Sequence, residues 1–128
     1  MSQGKTKVDS IDDNEELEYT EDAFNVLWFS EQEKFDCYML TAGVISFGGI
    51  EFNTKGRDDQ AECESTGPDT TPGKAAAACG VDAFAMIKAF CKPRIKVGTE
   101  WVIKSQTCEQ SMGAVGGIAC ILYDRVFK

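Results

Sequence analysis

The sequence predicts a mainly α-helical chain with one small β-hairpin. Two observations carry the helices. Ser30 with Glu33, and Thr107 with Gln110, each have the spacing of a capping box, and each precedes an apolar run of helical period. A third carries the hairpin. Two short strand-like runs flank Gly98 and Thr99, a Gly-X pair suited to a tight turn.

Taken in order, residues 1–11 read as a loop or frayed end. Asp12 with Glu15, and Asp13 with Glu16, look like a helix start with acids near the positive end of the dipole. Thr20 is expected to cap a following turn whose buried side carries Ala23, Phe24 and Leu27. After the Ser30 cap, the next helix places Phe35, Tyr38, Ala42 and Ile45 on one stripe, and Gly48 and Gly49 end it. Ile50 to Phe52 reads as a short strand. Residues 53–73 are polar and contain Pro68 and Pro72, which predicts a mobile surface loop.

Lys74 to Cys79 is an alanine-rich helical turn or two, closed by Gly80. Asp82 caps a further short helix with Met86, Ile87 and Phe90 facing inward. Pro93 stops that helix, and the hairpin follows. With Gly98 and Thr99 as the turn, Val97 pairs with Glu100, Lys96 with Trp101 and Ile95 with Val102. One face then carries Arg94, Lys96 and Trp101, a cationic and aromatic patch within reach of a cation–π contact. The last helix has a stripe of Met112, Val115, Ile118 or Ala119, Leu122 and Val126. It reaches Lys128 without a stop signal, which predicts a piece of something larger.

Composition narrows the function. A chain of 128 residues, 43% apolar and 27% charged, matches an ordinary globular protein. No apolar run approaches the ~20 residues of a bilayer span, so no membrane partner is expected. The N-terminus lacks the apolar core of a secretory signal, which predicts a cytoplasmic protein. The net charge of −8 is unevenly spread: residues 1–87 carry 6 basic and 18 acidic side chains, and residues 88–128 carry 7 and 3. Nucleic acid is therefore not an expected partner of the whole chain. On charge alone, both ends read as solvated faces.

No catalytic centre is recognisable. Histidine is absent, which removes Ser-His-Asp and Cys-His catalysis. The six cysteines show no C-x-x-C pair, so no metal site is expected; reduced thiols are expected, and several sit among apolar neighbours and read as small core residues. Gly4, Lys5 and Thr6 lack the upstream glycine of a phosphate-binding loop. Gly113 and Gly117 make a Gly-x-x-x-Gly that close helix packing explains.

Across nearly the whole chain, the sequence resembles the motor domain of muscle-type (class II) myosin heavy chains. The matching stretches are Ser10-Ile11-Asp12-Asp13 with Glu15-Glu16-Leu17, Ala23-Phe24-Asn25-Val26-Leu27, Glu33-Lys34 and Leu40-Thr41-Ala42-Gly43. Phe52, Arg57, Gln60-Ala61-Glu62, the hairpin and residues 116–126 complete the series in order. The resemblance implies that residues 1–128 are a partial segment of the myosin motor fold, of the P-loop NTPase superfamily, taken from the upper actin-binding subdomain. Residues 92–106 would be its actin-contacting hairpin loop. Carried over by position, Arg94, Lys96, Val97, Thr99, Glu100, Trp101 and Lys104 would contact actin, with Glu100 supplying the negative charge near the loop tip.

The family's activity is ATP-driven movement on actin filaments. Its P-loop and switches belong to other segments, so this chain alone is expected to have no catalytic or cofactor-binding residues and no ATPase; Mg-ATP would be bound elsewhere. The implied partners are an actin filament and the remainder of a heavy chain, in the cytoskeleton as part of a myosin complex, the thick filament of a myofibril. A stand-alone actin-binding module and a truncated copy without independent function are the alternative readings. The chain departs from the family pattern at Met39, Ser46, Ile103, Ser105 and Cys120, and in a longer loop around Pro68 and Pro72. Most consequentially, Trp28 stands where the family has a helix-ending glycine, a position that strains a bulky residue.

Overall fold

The structure is a computed structural model that describes residues 7–54, 59–63 and 65–128. Gly4, Lys5 and Thr6, and Arg57 of the family match, lie outside the described residues. The chain divides into two units, Met1–Tyr38 and Met39–Lys128.

In the first unit, Asp12 caps α1 (Asp13–Val26), its carboxylate accepting from the Asn14 N–H at 2.9 Å. Asp13, Glu15 and Glu16 fill the first turn, where the helix dipole favours anions. The helix runs straight through Thr20, which is not a cap. Its hydroxyl donates instead to the Glu16 carbonyl four residues back, at 2.9 Å. Ala23 and Leu27 are exposed and Phe24 is half-buried, so the expected buried side is not formed.

Helix α1 closes with a two-bond pattern. The Trp28 N–H donates to the Asn25 carbonyl (3.1 Å) and the Phe29 N–H to the Phe24 carbonyl (3.0 Å). This is a Schellman motif, and it requires a left-handed residue at position 28. Trp28 supplies it at φ +63°, the only non-glycine with positive φ among the described residues. The accompanying apolar clamp is present too, with the rings of Phe24 and Phe29 4.9 Å apart.

Helix α2 (Glu31–Phe47) begins at the expected capping box, the Ser30 N–H donating to Glu33 Oε2 at 2.8 Å and the Glu33 N–H to Ser30 Oγ at 3.3 Å. The expected stripe is displaced. Phe35 and Ile45 are 57% and 72% exposed, while Lys34 is 5% exposed and Phe47 2%. The reason is polar. Lys34 Nζ donates to Asn25 Oδ1 and Glu31 Oε1, both at 2.7 Å, and reaches Glu21 Oε2 at 3.4 Å. The Tyr38 hydroxyl donates to Glu21 Oε1 at 2.7 Å, and its ring meets Phe24 edge-on at 5.8 Å. No residue of α1 is buried, so charge-assisted bonds and three rings hold this unit.

The second unit has an apolar core. Phe47, Ile50, Phe52, Ala61, Ala75, Ile87, Phe90, Cys91 and Val115 form one cluster, with Phe47 edge-on to Phe90 at 6.3 Å. Ile50 and Phe52 enter it from irregular backbone, not from the expected strand. Within the presumed loop, β1 (Asn53–Thr54) pairs antiparallel with β2 (Ala61–Glu62).

Helix α3 (Thr71–Ala78) also starts inside that presumed loop. Thr70 caps it and buries Pro72 and Gly73 in its first turn. A Cβ on Gly73 would lie 2.0 Å from the Gly67 carbonyl oxygen, so only glycine fits this approach. Gly80, at φ +65°, ends α3 with Schellman bonds from the Gly80 N–H to Ala77 and the Val81 N–H to Ala76.

Helix α4 (Ala83–Cys91) is capped by Asp82 as expected, and buries Ile87 and Phe90. Helix α5 (Cys108–Val126) has the full Thr107/Gln110 box. Its inner stripe is Ser111, Val115, Ala119 and Leu122; Met112 is 55% exposed. The Ser111 hydroxyl, fully buried, donates to the Phe90 carbonyl at 3.1 Å and ties α5 to the end of α4. Among the described residues, a Cβ on Gly113, Gly116 or Gly117 would meet nothing within 4 Å, so packing among them does not require these glycines. No helix among the described residues is long and apolar enough to cross a membrane.

Candidate functional site

The hairpin rises from a locked base. Helix α4 stops at Cys91, Lys92 leaves helical geometry, and Pro93 has no N–H to continue the ladder. The Gln106 N–H then donates to the Cys91 carbonyl (2.9 Å), and the Lys104 N–H to the Pro93 carbonyl (3.0 Å). The Gln106 carbonyl accepts from the Ala61 N–H at 2.9 Å, which joins the base to β2. Cys91 is buried here, and burial together with the neighbouring Cys63 pushes its thiol pKa up, so it acts as a packing residue. Gln106 Oε1 is buried without a partner among the described residues.

Strands β3 (Arg94–Val97) and β4 (Glu100–Ile103) pair in the expected register, Val97 with Glu100, Lys96 with Trp101 and Ile95 with Val102; Arg94 with Ile103 extends it. Gly98 has φ +64° and Thr99 does not have positive φ, the φ pattern of a type II′ turn. Every strand residue is exposed on both arms. A two-stranded ribbon with neither face covered is held by its turn, its ladder and its base.

The register sorts the site residues onto two faces. Arg94, Lys96 and Trp101 share one face with Ile103. The Arg94 guanidinium lies 5.5 Å from the Trp101 ring centre, a diagonal cation–π contact. Val97 and Glu100 sit beside the turn on the other face, with Ile95 and Val102. Thr99 is in the turn itself, and Lys104 follows β4 at the base. The seven residues are therefore on one hairpin but not on one surface.

Sequence reasoning passed over Ile95, Val102 and Ile103, which are 40%, 46% and 60% exposed. Alternation within the paired register was the signal that could have found them. Among the described residues, Arg94, Lys96 and Lys104 form no ion pair, so their charge is available to a partner. No group of three or more described acidic or cysteine side chains is placed to hold a metal ion.

Residues 1–128 match the model of the myosin head (motor domain). The chain belongs to the myosin head family. It is 40% identical over 127 residues to Myosin-3 of Caenorhabditis briggsae, an alignment covering 99% of this chain and 6% of that relative. This myosin head segment therefore spans a small part of the relative's length.

Proposed function

We propose that this segment contributes actin-filament binding to a myosin motor through residues 92–106, as part of the upper actin-binding subdomain of a motor with the P-loop NTPase fold. The observation that carries the reading is a hairpin whose strand residues are all exposed above a hydrogen-bonded base. Such a ribbon presents a charged aromatic face and an apolar face at little ordering cost on binding. Residues 92–106 contain four basic side chains and one acidic one, which suits an acidic filament surface. In this reading Arg94, Lys96 and Lys104 make charge-assisted contacts, Val97, Thr99 and Trp101 pack, and Glu100 pairs with a cation on the filament.

The partners are an actin filament and the remainder of a heavy chain, within the cytoskeletal myosin complex of a myofibril. Hydrolysis of Mg-ATP belongs to other segments of the motor, because phosphoryl transfer needs a phosphate cradle, a metal ligand and a water-positioning group. Co-sedimentation of the 128-residue chain with actin filaments, near physiological salt and at low chain concentration, tests the binding. The Lys96→Ala/Trp101→Ala variant is expected to lose at least about tenfold in affinity, as for a charge and an aromatic anchor removed together. Unchanged binding would overturn the assignment to the hairpin.

A further inference from the structure

Three cysteines converge beneath the hairpin, all within the second unit. The Ala61 N–H donates to the Gln106 carbonyl and the Gln106 N–H to the Cys91 carbonyl, both at 2.9 Å, so three segments lie side by side there. Cys91 belongs to the apolar core, and Cys63 and Cys108, which follow shortly after Ala61 and Gln106, pack against it. The hairpin faces use none of the three.

Cys63 and Cys91 share more than the core. Both line one cavity of about 440 Å³, Cys63 from the segment after β2 and Cys91 from α4. Phe84, Ile87, Lys88 and Lys92 join Cys91 on the cavity wall, and their helical spacing makes them one side of α4. The two thiols therefore meet a single space from two elements. Cys108 is not among the walls of that cavity. Burial pushes the Cys91 thiol up, and Cys63 adds to this more than Cys108 does. Access differs between the two. Cys91 is 6% exposed, whereas Cys63 is half-buried and makes only a weak bond, its thiol donating to the Ser65 carbonyl at 3.6 Å.

We propose that Cys63 and Cys91 are a modification site that takes up a reversible disulfide, tying the segment after β2 to the end of α4 and tightening the hairpin base. Both thiols are free in this structure, and Cys91 packs in the core while reduced. The oxidant is a low-molecular-weight disulfide such as oxidised glutathione, whose carboxylates suit the cavity's Lys88 and Lys92. The Cys63 thiolate attacks one of its sulfurs, breaking the S–S bond and releasing one glutathione thiolate. Cys91, as thiolate, then attacks the Cys63 sulfur and releases the second glutathione. The two cysteines lose two protons and two electrons, and glutathione leaves as two thiols. The inference concerns the second unit alone and is independent of filament binding.

Incubating the folded 128-residue chain with oxidised glutathione, then blocking free thiols and mapping peptides, tests it. The expected product is a monomer with a Cys63–Cys91 bridge, reopened by a dithiol reductant. Cys91→Ala removes the second thiol, so the glutathione adduct on Cys63 is expected to exceed that of the parent at least about tenfold. Cys63→Ala is expected to leave Cys91 unmodified, because Cys91 is buried. Amide exchange at Gln106 is expected to slow at least about tenfold in the bridged parent relative to the reduced one. The bridge and the exchange are both read on the parent chain, so neither depends on a variant folding. A bridge between other cysteines, equal Cys63 adduct in the parent and Cys91→Ala, or Gln106 exchange unchanged by the bridge would overturn the proposal.

Discussion

Helices α1 and α3 end in the same hydrogen-bond pattern with opposite choices of residue. At the end of α3, Gly80 takes φ +65° at the position where a Schellman motif turns left-handed. At the end of α1, Trp28 takes φ +63° at the equivalent place. The backbone geometry is thus dictated by the need to satisfy the last carbonyls, not by the identity of the residue that supplies the turn. What differs is the support. The Phe24–Phe29 clamp holds the α1 end shut, while glycine at the α3 end meets the requirement without strain. Both positions also face open space: Trp28 is 91% exposed, and a Cβ on Gly80 would meet nothing within 4 Å. Losing such a glycine costs backbone strain alone.

The sharpest way to break this comparison is a glycine with no such space. A Cβ on Gly73 would lie 2.0 Å from the Gly67 carbonyl oxygen and 2.9 Å from the Pro68 Cα, both backbone atoms that cannot move aside cheaply. Gly73→Ala is expected to cost about 3 kcal/mol or more, the upper range of overpacking, because the first turn of α3 must shift. A thermal melt is expected to show the midpoint falling by more than about 10 °C. A shift of only a degree or two would show that α3 starts with more room than its contacts indicate.

The midpoint of the range is a reciprocal exchange. Gly80→Trp imposes the left-handed strain where no aromatic clamp exists, and is expected to destabilise by about 1–2 kcal/mol. Trp28→Gly relieves the same strain and is expected to stabilise the first unit by about 1 kcal/mol, after allowing for the added freedom of the unfolded chain. Amide hydrogen exchange at Val81 and Phe29 reads the two ends separately. If Trp28→Gly left Phe29 protection unchanged or lowered it, strain would not be what distinguishes them.

The two ends also show what the sequence made legible. Local hydrogen-bonding chemistry was readable: the Ser30/Glu33 and Thr107/Gln110 boxes, the Asp82 cap and the hairpin register all depend on residues a few positions apart, whereas the left-handed requirement at Trp28 came from the family resemblance. Burial was less so. Periodicity in α2 pointed to Phe35 and Ile45, but the buried side chain is Lys34, because its partners Glu21 and Asn25 come from α1. The 53–73 segment looked like a loop because proline and glycine punctuate it. Thr70 instead caps a helix whose first turn accepts Pro72 and buries Gly73. The candidate hairpin was legible in full as backbone. Its cationic aromatic face was legible too; the apolar positions Ile95, Val102 and Ile103 emerged only when the register was applied to every strand residue.

The smallest effect separates the two ends by what lies behind them. The α3 end adjoins an apolar core, whereas the α1 end relies on the bonds joining Glu21, Lys34 and Tyr38. The Tyr38 hydrogen bond, with Lys34 acting in the same direction, holds the Glu21 carboxyl below its ordinary value of 4.5. A lowered carboxylate pKa contributes stability that is present above the ordinary value and is lost as pH falls through the folded one. Glu33 follows the same rule through its bonds to Ser30. In the alkaline direction, Glu31 and Glu21 raise Lys34, and the bond to Glu21 raises Tyr38. Those contributions are complete below the ordinary values of 10.5 and 10.0 and fade as pH rises through the raised ones. Phe29 protection, corrected for intrinsic exchange, is therefore expected to be flat between about pH 5 and 9 and to fall on either side, with Val81 much less affected between pH 5 and 3. The change is modest because these groups remain open to solvent, where water competes for each bond. Equal acid sensitivity at Phe29 and Val81 would mean that the polar bonds add nothing at the α1 end, and that the Phe24–Phe29 clamp alone keeps Trp28 in its strained conformation.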